Sequence, residues 1–261
     1  MPIFDQPFDT ASDAALVTGA GNGIGRAIAM ALVAEGVRVV FADINPDSVA
    51  AAISASAEPK LATAWVGDLA ERSECDRLLA DARRTLGLIT HFVHSAAPPR
   101  READHALAVT DDTWMRMRAV NVDAGFHLGR EISRALIAAK APGSLLYLTS
   151  LHAETPRNLP HYSTSKAAMA MMVKEFAKTL GRYRIRVNAL VPGAIAAGGF
   201  VADPTLARHI PLGRLGKSDD LAPLALAVLS NRISGYVTGA AIVIDGGISL
   251  TNWFDAPNLD V

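Results

Sequence analysis

Thr18-Gly19-Ala20-Gly21-Asn22-Gly23-Ile24-Gly25 is the stretch that decides the fold of this 261-residue chain. It directly follows an apolar run at residues 14–18 and precedes a helical pattern from about residue 26 to residue 35. Glycine at such a turn permits positive φ and lets the backbone approach a phosphate without an intervening Cβ. The N–H groups and the positive dipole end of the new helix also favour a pyrophosphate. The context of strand, turn and helix therefore predicts a dinucleotide-binding βαβ unit, with a plain tight turn as the alternative.

Short apolar runs alternate with longer helical patterns along the rest of the chain. The further runs lie at residues 37–42, 61–66, 88–93, 144–148, 184–190 and 241–244. Several are apolar nearly throughout, as expected for parallel strands that are covered on both faces. Strands and helices in alternation imply right-handed βαβ crossovers. The sequence therefore predicts one α/β domain over residues 1–261, a Rossmann-type doubly wound parallel sheet of about seven strands with helices on both faces.

Composition and charge argue against several classes of function. Lys and Arg total 25 against 26 Asp and Glu, so no surplus positive charge exists to neutralise the phosphates of a nucleic acid. No run approaches the ~18 apolar residues of a membrane helix, and the acidic N-terminus lacks the features of a signal peptide. The single cysteine, Cys75, cannot form an intramolecular disulfide, and no Cys/His cluster has zinc spacing. We therefore expect a cytoplasmic protein with no metal, nucleic-acid or membrane partner.

Asp43 stands just past the second predicted strand, close to the ~20 residues after the glycine loop that a dinucleotide-binding unit expects. A carboxylate there accepts hydrogen bonds from an adenosine ribose 2′-hydroxyl and repels a 2′-phosphate. Asn22, in the glycine loop, supplies no compensating positive charge. The position therefore predicts NAD as the cofactor, in preference to NADP. The alternative is that Asp43 caps the helix that starts near Pro46.

Tyr162-Ser163-Thr164-Ser165-Lys166 places a tyrosine and a lysine one turn apart on the same face of a predicted helix. A phenol is a poor base at neutral pH because its ordinary pKa is about 10. A neighbouring ammonium, helped by a nicotinamide cation, stabilises the phenolate. The spacing therefore predicts an acid/base pair, with an ordinary exposed pair as the alternative.

The chain resembles the classical short-chain dehydrogenases/reductases over nearly its whole length. TGAGNGIG at residues 18–25 resembles the TGxxxGxG loop of that family, and YSTSK at residues 162–166 resembles its YxxxK motif. Further matches are Asn121 in VNVDAGF, Ser150 in YLTSL, Val187-Asn188-Ala189 followed by Pro192-Gly193, and Asp245-Gly246-Gly247. These motifs occur in the order and at the spacing that are typical of the family.

The resemblance implies a role for each matching residue. Tyr162 would be the general acid/base, and Ser150 would hold the substrate oxygen. Lys166 would bind the nicotinamide ribose and favour the phenolate, and Asn121 would support a water-mediated proton relay. The structural alternatives are a strand-end serine that satisfies backbone groups and a helix-interior asparagine bonded to neighbouring backbone. The implied cofactor-binding residues are Gly19, Asn22, Gly23, Ile24, Gly25, Asp43, Asp68, Leu69, Ser95, Ala96, Tyr162, Lys166, Pro192, Gly193 and Ile195.

The sequence departs from the family pattern in three places. The usual NNAG after the fourth strand is His94-Ser95-Ala96-Ala97 here. We expect this change to remove a hydrogen bond that steadies the sheet and to put a methyl group near the cofactor. Ala197 stands where the family often has a threonine that contacts the nicotinamide amide, so backbone at Ile195 is expected to take that contact. A slightly shorter loop before the tyrosine leaves Thr149 as a competitor to Ser150.

Substrate choice is expected to lie in the irregular loops that follow the strands. We predict that Ser150, His152 and Tyr162 contact the substrate, because His152 lies just past Ser150 on the loop that leads to Tyr162. Further candidates are His94, Arg100, Trp114, Arg157, His161 and the segment at residues 196–207. A polar pocket with His and Arg suits a hydroxyl-rich substrate, because each buried donor needs an acceptor.

SLHAE at residues 150–154, IPLGRLG at residues 210–216 and YVTGAAIVIDGG at residues 236–247 resemble most the family members that act on sugars or polyols. This resemblance and the features above together predict an NAD-dependent oxidoreductase that acts on a sugar, a polyol or a similar small secondary alcohol. One alternative is a ketoreductase for 3-oxoacyl thioesters or hydroxysteroids, for which Arg100-Arg101 is the only basic patch that an acyl carrier could use. The other alternative is a catalytically silent dinucleotide-binding sensor. The complete set of catalytic motif residues argues against the sensor, because a sensor has no need of an acid/base pair.

The resemblance also implies a homotetramer. Its subunits would meet through the helix that contains Tyr162 and through a helix from about residue 120 to residue 139. Ala167, Ala170 and Met171 suit close packing between helices, although burial against the sheet is the simpler interpretation. The aromatic tail after Gly247 is a further candidate for contact with another subunit.

Overall fold

The strands of the protein form one parallel sheet in a computed structural model that describes residues 6–197 and 204–250. The order of the seven strands in the sheet is β3-β2-β1-β4-β5-β6-β7. Their bounds are β1 Ala14–Thr18, β2 Arg38–Asp43, β3 Ala62–Val66, β4 His91–His94, β5 Gly143–Leu148, β6 Ile185–Pro192 and β7 Ala241–Ile244. All seven predicted runs are strands, so the predicted fold class is confirmed.

Helices connect the strands and cover both faces of the sheet. Their bounds are α1 Gly23–Ala34, α2 Pro46–Ser54, α3 Arg72–Leu86, α4 Asp111–Arg118, α5 Gly125–Ala138, α6 Pro160–Leu180, α7 Ser218–Leu229 and α8 Asn231–Ser234. A π-helical turn at Ala119–Ala124 joins α4 to α5. The helix predicted to start near residue 120 therefore begins earlier, at α4. The Thr110 side chain caps α4 by accepting the Thr113 N–H, and Asp111 and Asp112 favour the positive end of its dipole.

Two hydrophobic cores lie on opposite faces of the sheet. Neighbouring residues of β1 point into different cores, as Leu16 and Val17 show. One core packs the sheet against α3, α5 and α6, and the other packs it against α1, α2 and α7. Because both faces are covered, both sets of strand side chains are apolar, which is why the strands appear in the sequence as continuous apolar runs.

The direction of strand succession reverses between β1 and β4, which are neighbours in the sheet. Thr18 at the end of β1 is in register with His94 at the end of β4. Gly19 follows with φ 67°, and a Cβ there would lie 2.7 Å from the Ala96 nitrogen. The glycine loop and the loop after β4 therefore meet at the carboxyl ends of the strands. In doubly wound sheets, ligands bind in the crevice at such a reversal.

Two kinds of feature are missing from the part of the chain that the structure describes. No helix in those ranges is long and apolar enough to cross a membrane. No cluster of three or more His, Cys, Asp or Glu side chains there is arranged to hold a metal ion. Residues 251–261 of the tail and residues 198–203 of the predicted substrate segment lie outside the described residues, so the expectations for them stay predictions.

Candidate active site

The glycine loop forms a tight cradle that ends in the N-terminus of α1. The helix begins at Gly23 rather than near residue 26, and Asn22 is its N-cap, with Oδ1 accepting the Gly23 N–H at 2.7 Å. A Cβ on Gly25 would collide with the Gly19 carbonyl oxygen, so no side chain fits there. Helix N-termini leave backbone N–H groups unpaired, and these bind phosphate well. The cradle therefore fits the pyrophosphate of a dinucleotide.

Asp43 ends β2 and lies against the glycine loop. Its Oδ2 accepts the Gly21 N–H at 2.9 Å, and its Oδ1 accepts the Asn45 N–H at 3.1 Å. Asn45 is the N-cap of α2, because its side chain accepts the Ser48 N–H at 3.0 Å. The alternative in which Asp43 caps α2 is therefore wrong. The carboxylate ties the glycine loop to β2, and its contact with an adenosine ribose stays a prediction.

Asp68 and Leu69 follow β3 at the same edge of the sheet. Asp68 Oδ1 accepts the Ala70 N–H at 3.0 Å, and Oδ2 accepts a hydrogen bond from Arg116 Nη2 at 2.8 Å. Burial alone would raise the pKa of Asp68, but these donors hold it below its ordinary value. Leu69 is buried in the core, and its carbonyl accepts a weak hydrogen bond from the Cys75 thiol. Arg116 on α4 thus fixes the loop that is predicted to contact the adenine.

The loop after β6 is held by the neighbouring backbone. Gly193 donates its N–H to the Ile244 carbonyl at 3.0 Å, and a Cβ there would lie 2.5 Å from the Asp245 Cβ. Ile195 forms an isolated bridge with Gly216, and its carbonyl accepts the Ala197 N–H at 2.9 Å. Pro192 is the last residue of β6. The expected amide contact at Ile195 stays a prediction.

His94 corrects two expectations. It is completely buried, so it does not contact a substrate. Its Nε2 lies 3.1 Å from the Val120 carbonyl oxygen, and its Nδ1 lies 3.0 Å from Thr18 Oγ1. Burial, reinforced by the charge of Lys166, lowers the pKa of His94 to about 4, so the ring is neutral at pH 7. Since a carbonyl only accepts, we assign the proton to Nε2 and the acceptor role to Nδ1. The histidine therefore supplies the hydrogen bonding that we expected the sequence change to remove.

Thr18 is a positioning residue for the loop after β4, and it is not among the site residues predicted from the sequence. Its Oγ1 accepts the Ser95 N–H at 3.2 Å and the Ala96 N–H at 3.4 Å, while its hydroxyl donates to His94. One threonine thus fixes the loop in which Ser95 and Ala96 are predicted to contact the cofactor. Ala97 is exposed and has no left-handed backbone, so the loss of the usual glycine causes no strain there. The only indication of the role of Thr18 in the sequence was its position as the first residue of the glycine motif.

Tyr162 and Lys166 lie on the buried face of α6. They are 7% and 4% exposed, and Lys166 Nζ lies 5.7 Å from the Tyr162 ring centroid. The ammonium group donates a hydrogen bond to the Leu148 carbonyl at 2.6 Å. Burial, reinforced by the charge of Arg100, lowers the pKa of Lys166 to about 7. The alternative of an ordinary exposed pair is therefore wrong.

Ser150 and Thr149 differ in what their hydroxyls can still do. Thr149 Oγ1 donates to the Leu190 carbonyl at 3.0 Å, which occupies its single hydrogen. Ser150 Oγ instead accepts the His152 N–H at 3.1 Å, which leaves its own hydrogen available for donation. Ser150 therefore satisfies a backbone group and can still bind a substrate oxygen, and Thr149 is the poorer candidate.

Asn121 is completely buried in the π-helical turn. Its Nδ2 donates to Ser165 Oγ at 2.9 Å, and Ser165 Oγ donates to the Tyr162 carbonyl at 2.7 Å. The side chain thus joins the π turn to the first turn of α6, which differs from the alternative of bonding to neighbouring backbone. Its Oδ1 has no hydrogen-bond partner within the described ranges. The predicted proton relay is not tested by these contacts.

His152 and Arg100 surround the tyrosine ring. The His152 ring lies 6.4 Å from the Tyr162 ring, and the Arg100 guanidinium lies 4.6 Å above the Tyr162 centroid. His152 Nδ1 lies 3.0 Å from the Thr155 carbonyl, and burial lowers the pKa of the ring. The neutral ring therefore carries its proton on Nδ1, which leaves Nε2 as an acceptor. Donor and acceptor groups thus stand beside the predicted acid/base.

The other substrate candidates are placed less directly. Trp114 lies on α4 and is 41% exposed. Arg157 forms an ion pair with Glu102 at 2.6 Å. His161 is buried, with its Nε2 4.0 Å from Asp104. These placements do not test the prediction that the three residues choose the substrate.

The chain is similar to proteins of several activities. Residues 19–249 match the model of a family described as enoyl-(acyl carrier protein) reductase. A (3R)-3-hydroxyacyl-CoA dehydrogenase of Rattus norvegicus is 31% identical, over 90% of this chain and 95% of that protein. A gluconate 5-dehydrogenase of Gluconobacter oxydans is 30% identical, over 94% of this chain and 97% of that protein. The structure of a 3-ketoacyl-(acyl-carrier-protein) reductase from Brucella melitensis complexed with NADH is 28% identical, with a TM-score of 0.84 over 92% of this chain and all of that chain.

Proposed function

Because this chain belongs to the short-chain dehydrogenase/reductase family, we propose that it transfers a hydride between NAD(H) and a small secondary alcohol or ketone. The substrate in this proposal is a sugar, a polyol or a similar hydroxy compound. The observation that carries the proposal is the buried pair of Tyr162 and Lys166, with the Ser150 hydroxyl as its predicted partner. Burying the charge of a lysine costs free energy of folding, and the acid/base role explains why this chain has a buried lysine.

In the proposed reaction the residues of this chain transfer one proton and bind the substrate oxygen. The bound nicotinamide supplies the chemistry of accepting or giving the hydride. Tyr162 takes the hydroxyl proton as the alcohol is oxidised, so a hydride and a proton leave and a ketone remains. Ser150 donates a hydrogen bond to the substrate oxygen, where negative charge develops. The ammonium form of Lys166 favours the phenolate, and Asn121 holds the first turn of the helix that carries both residues.

Two observations support NAD as the cofactor. The Asp43 carboxylate lies at the end of β2 against the glycine loop, where it would repel a 2′-phosphate. The similar reductase from Brucella melitensis was crystallised with NADH. The residues that would hold the dinucleotide are those of the glycine cradle, Asp43, the loops after β3, β4 and β6, and Lys166.

A small hydroxy compound is supported by the polar groups around the tyrosine. His152 offers an acceptor and Ser150 offers a donor, which match a substrate with several hydroxyls. Gluconate 5-dehydrogenase is a relative with such a substrate. The second candidate is a 3-oxoacyl thioester, which the hydroxyacyl-CoA dehydrogenase and the family model favour. Against it, Arg100 contacts the tyrosine ring itself instead of forming an outer patch for an acyl carrier.

The proposal extends to the cellular context. We place the protein in the cytoplasm as a homotetramer with a small-molecule substrate and no nucleic-acid or membrane partner. The formal net charge of −1 and the exposed apolar residues of α5 and α6 support this context.

The test is a panel of aldoses, polyols, hydroxysteroids and 3-hydroxyacyl thioesters, each assayed with NAD and with NADP. We expect turnover of a small hydroxy compound with NAD. Tyr162→Phe should lower kcat by about 10²- to 10⁴-fold, the usual contribution of a general base, without loss of NADH binding. The matched control is Tyr183→Phe, because Tyr183 is 42% exposed in the short turn that follows α6.

Each alternative gives a different outcome. Unchanged turnover in Tyr162→Phe would refute the assigned base. Activity confined to thioesters would favour the second candidate, and activity only with NADP would refute the interpretation of Asp43. Unchanged biological output despite lost turnover would favour a dinucleotide sensor.

A further inference from the structure

Arg100 occupies an unusual place for an exposed arginine. It lies in the loop after β4, and its guanidinium carbon is 4.6 Å from the centroid of the Tyr162 ring. Its positive charge acts on the reacting centre, because it contributes to lowering the pKa of both Lys166 and His152. A permanent cation thus stands next to the residue that is proposed to exchange the proton.

Nearby carboxylates do not neutralise this charge. Glu102 forms its ion pair with Arg157 at 2.6 Å. Asp104 accepts the backbone N–H of Arg101 and lies 4.0 Å from His161. Among the residues that the structure describes, no hydrogen bond or ion pair joins Arg100 to a protein acceptor. The two acidic side chains of this loop therefore contact other groups, and neither forms an ion pair with Arg100 beside the tyrosine.

The contact of Arg100 with the tyrosine ring leaves its hydrogen-bond donors available. The attraction between a guanidinium and the face of an aromatic ring comes from the positive charge, so it does not use up the N–H donors. The planar fork of these donors matches the two oxygens of a carboxylate in a bidentate contact. A neutral polyol would use these donors poorly, because the charge would stay without a counter-ion.

We propose that the substrate carries a carboxylate close to the reacting carbinol, and that Arg100 binds it and selects hydroxy acids over neutral alcohols. The inference rests on the proposed function, since it names the substrate class of the same site. The anion lies on the small substrate itself because Arg100 contacts the tyrosine that serves the reacting carbon. The phosphates of a coenzyme A thioester are separated from the reacting carbon by the long pantetheine arm, so Arg100 is too near the reaction to bind them.

The experiment compares matched pairs in which a neutral alcohol and its acid share a carbon skeleton. The pairs are glycerol and glycerate, glucitol and gluconate, and butane-1,3-diol and 3-hydroxybutyrate, each with NAD. The variants are Arg100→Gln and Arg100→Lys, with Arg101→Gln as the control because Arg101 is its exposed neighbour. We expect the wild-type protein to prefer the acid in at least one pair. Arg100→Gln should lower kcat/KM for that acid by about 10- to 100-fold, mainly through KM, the usual cost of losing a charged hydrogen-bonded pair.

The neutral member of the pair and the control separate a specificity role from a structural one. Because the charge of Arg100 also acts on Lys166 and His152, the neutral member reports any general effect on turnover. The acid-to-neutral ratio of kcat/KM should fall by about 10- to 100-fold in Arg100→Gln. The ratio should fall less in Arg100→Lys and stay unchanged in Arg101→Gln. The inference is overturned if the wild type prefers the neutral member throughout or if the acid preference survives in Arg100→Gln. The inference is also overturned if Arg100→Gln lowers kcat/KM only for a 3-hydroxyacyl-CoA, since the anion that Arg100 binds would then be a phosphate.

Calorimetry of gluconate, glycerate and 3-hydroxybutyrate with the NAD-saturated protein distinguishes this inference from the proposed reaction. Binding that disappears in Arg100→Gln, without turnover of any alcohol, would keep the anion site and refute the proposed function. Turnover of neutral alcohols, with no acid bound, would keep the proposed function and refute the anion site.

Discussion

The Asp43 carboxylate has two roles that one substitution can separate. It holds the Gly21 N–H at 2.9 Å, and it is predicted to face the adenosine ribose. Asp43→Ser keeps a short polar side chain but removes the negative charge that opposes a 2′-phosphate. We expect kcat/KM with NAD to fall about 10-fold, and the NADP-to-NAD ratio of kcat/KM to rise by about 10- to 100-fold, as for the gain or loss of one charged interaction.

Asp47→Ser is the control for this prediction, because Asp47 is an exposed acid in the first turn of α2. It removes one negative charge, as Asp43→Ser does, without removing a contact with the glycine loop. If the wild type uses NADP better than NAD, or if both variants give the same ratio, the predicted role of Asp43 is wrong.

The burial of Lys166 makes the free energy of unfolding rise with pH. Its pKa is about 7 in the folded protein and about 10.4 in an unfolded chain. Between these pH values the unfolded chain binds one more proton, so stability rises with pH. The free-energy cost of burying the charge is therefore fully present below pH 7. It disappears as the pH rises toward the pKa of a lysine in the unfolded chain.

Lys166→Met removes this pH-dependent contribution to stability and should also abolish turnover. Urea unfolding from pH 7 to pH 10 should show the free energy of unfolding of the wild type rising relative to that of the variant, by up to a few kcal/mol. Lys174→Met is the control, since Lys174 is exposed on the same helix. Parallel curves for the wild type and both variants would show that Lys166 is not desolvated as the structure places it.

At the scale of elements, the strands were the easiest part to predict. Buried parallel strands such as β1 and β5 have apolar side chains toward both cores, so each run stood out from the helical patterns around it. The start of α4 was missed because its few apolar residues gave a weak period, although Thr110 followed by two aspartates was an available capping signal.

Contacts between loops were the part of the site that the sequence could not predict. The Tyr162 and Lys166 pair was predictable because both residues lie on one helix at fixed spacing. The contact of Arg100 with Tyr162 depends on how the loop after β4 meets the first turn of α6, which is distant in the chain. The role of His94 was predicted wrongly for a related reason, because its partner carbonyl at Val120 belongs to a π turn with no sequence signature.

His94 connects β1, β4 and the π turn, so its protonation should affect all three. Its pKa is about 4 in the folded protein and about 6.5 in an unfolded chain. Between these values the unfolded chain binds the extra proton, so this contribution is complete above pH 6.5 and is lost as the pH falls toward 4. The expected loss is about 3 kcal/mol for a shift of this size.

His94→Asn tests this contribution with the residue that the resembling family carries at this position. The free energy of unfolding of the wild type should fall more steeply than that of the variant between pH 6.5 and pH 4. His105→Asn is the control, because His105 is exposed in the loop before α4. Equal slopes for the wild type and His94→Asn would mean that the buried ring does not resist protonation.

At the scale of the whole molecule, the sheet and its two cores hold the loops that form the site. The glycine cradle, the loop after β4 and the first turn of α6 come from different βαβ units, yet Thr18, His94 and Asn121 join them through buried hydrogen bonds. A site that is fixed in this way lies at one edge of the sheet, so the outer surfaces of the helices are available for contact with other subunits.

The outer surface of α5 and α6 carries apolar side chains that a monomer would leave in water. Met171 is 55% exposed, and Phe126 is 41% exposed while it stacks on Phe176 at 5.5 Å. Ala167 is also exposed, so burial against the sheet does not explain this face; Met169 and Val173 have that role instead. Small residues beside large apolar ones allow two helices to approach closely.

We therefore predict that Met171→Glu breaks the proposed tetramer, because a charge at the centre of an apolar contact loses its water without gaining a partner. Light scattering after size-exclusion chromatography should give the wild type the mass of four 27.5 kDa chains and the variant a lower mass. Leu107→Glu is the matched control, since Leu107 is 96% exposed in the loop before α4 and belongs to neither α5 nor α6. A monomeric wild type, or a variant of unchanged mass, would show that the α5 and α6 surface does not hold subunits together.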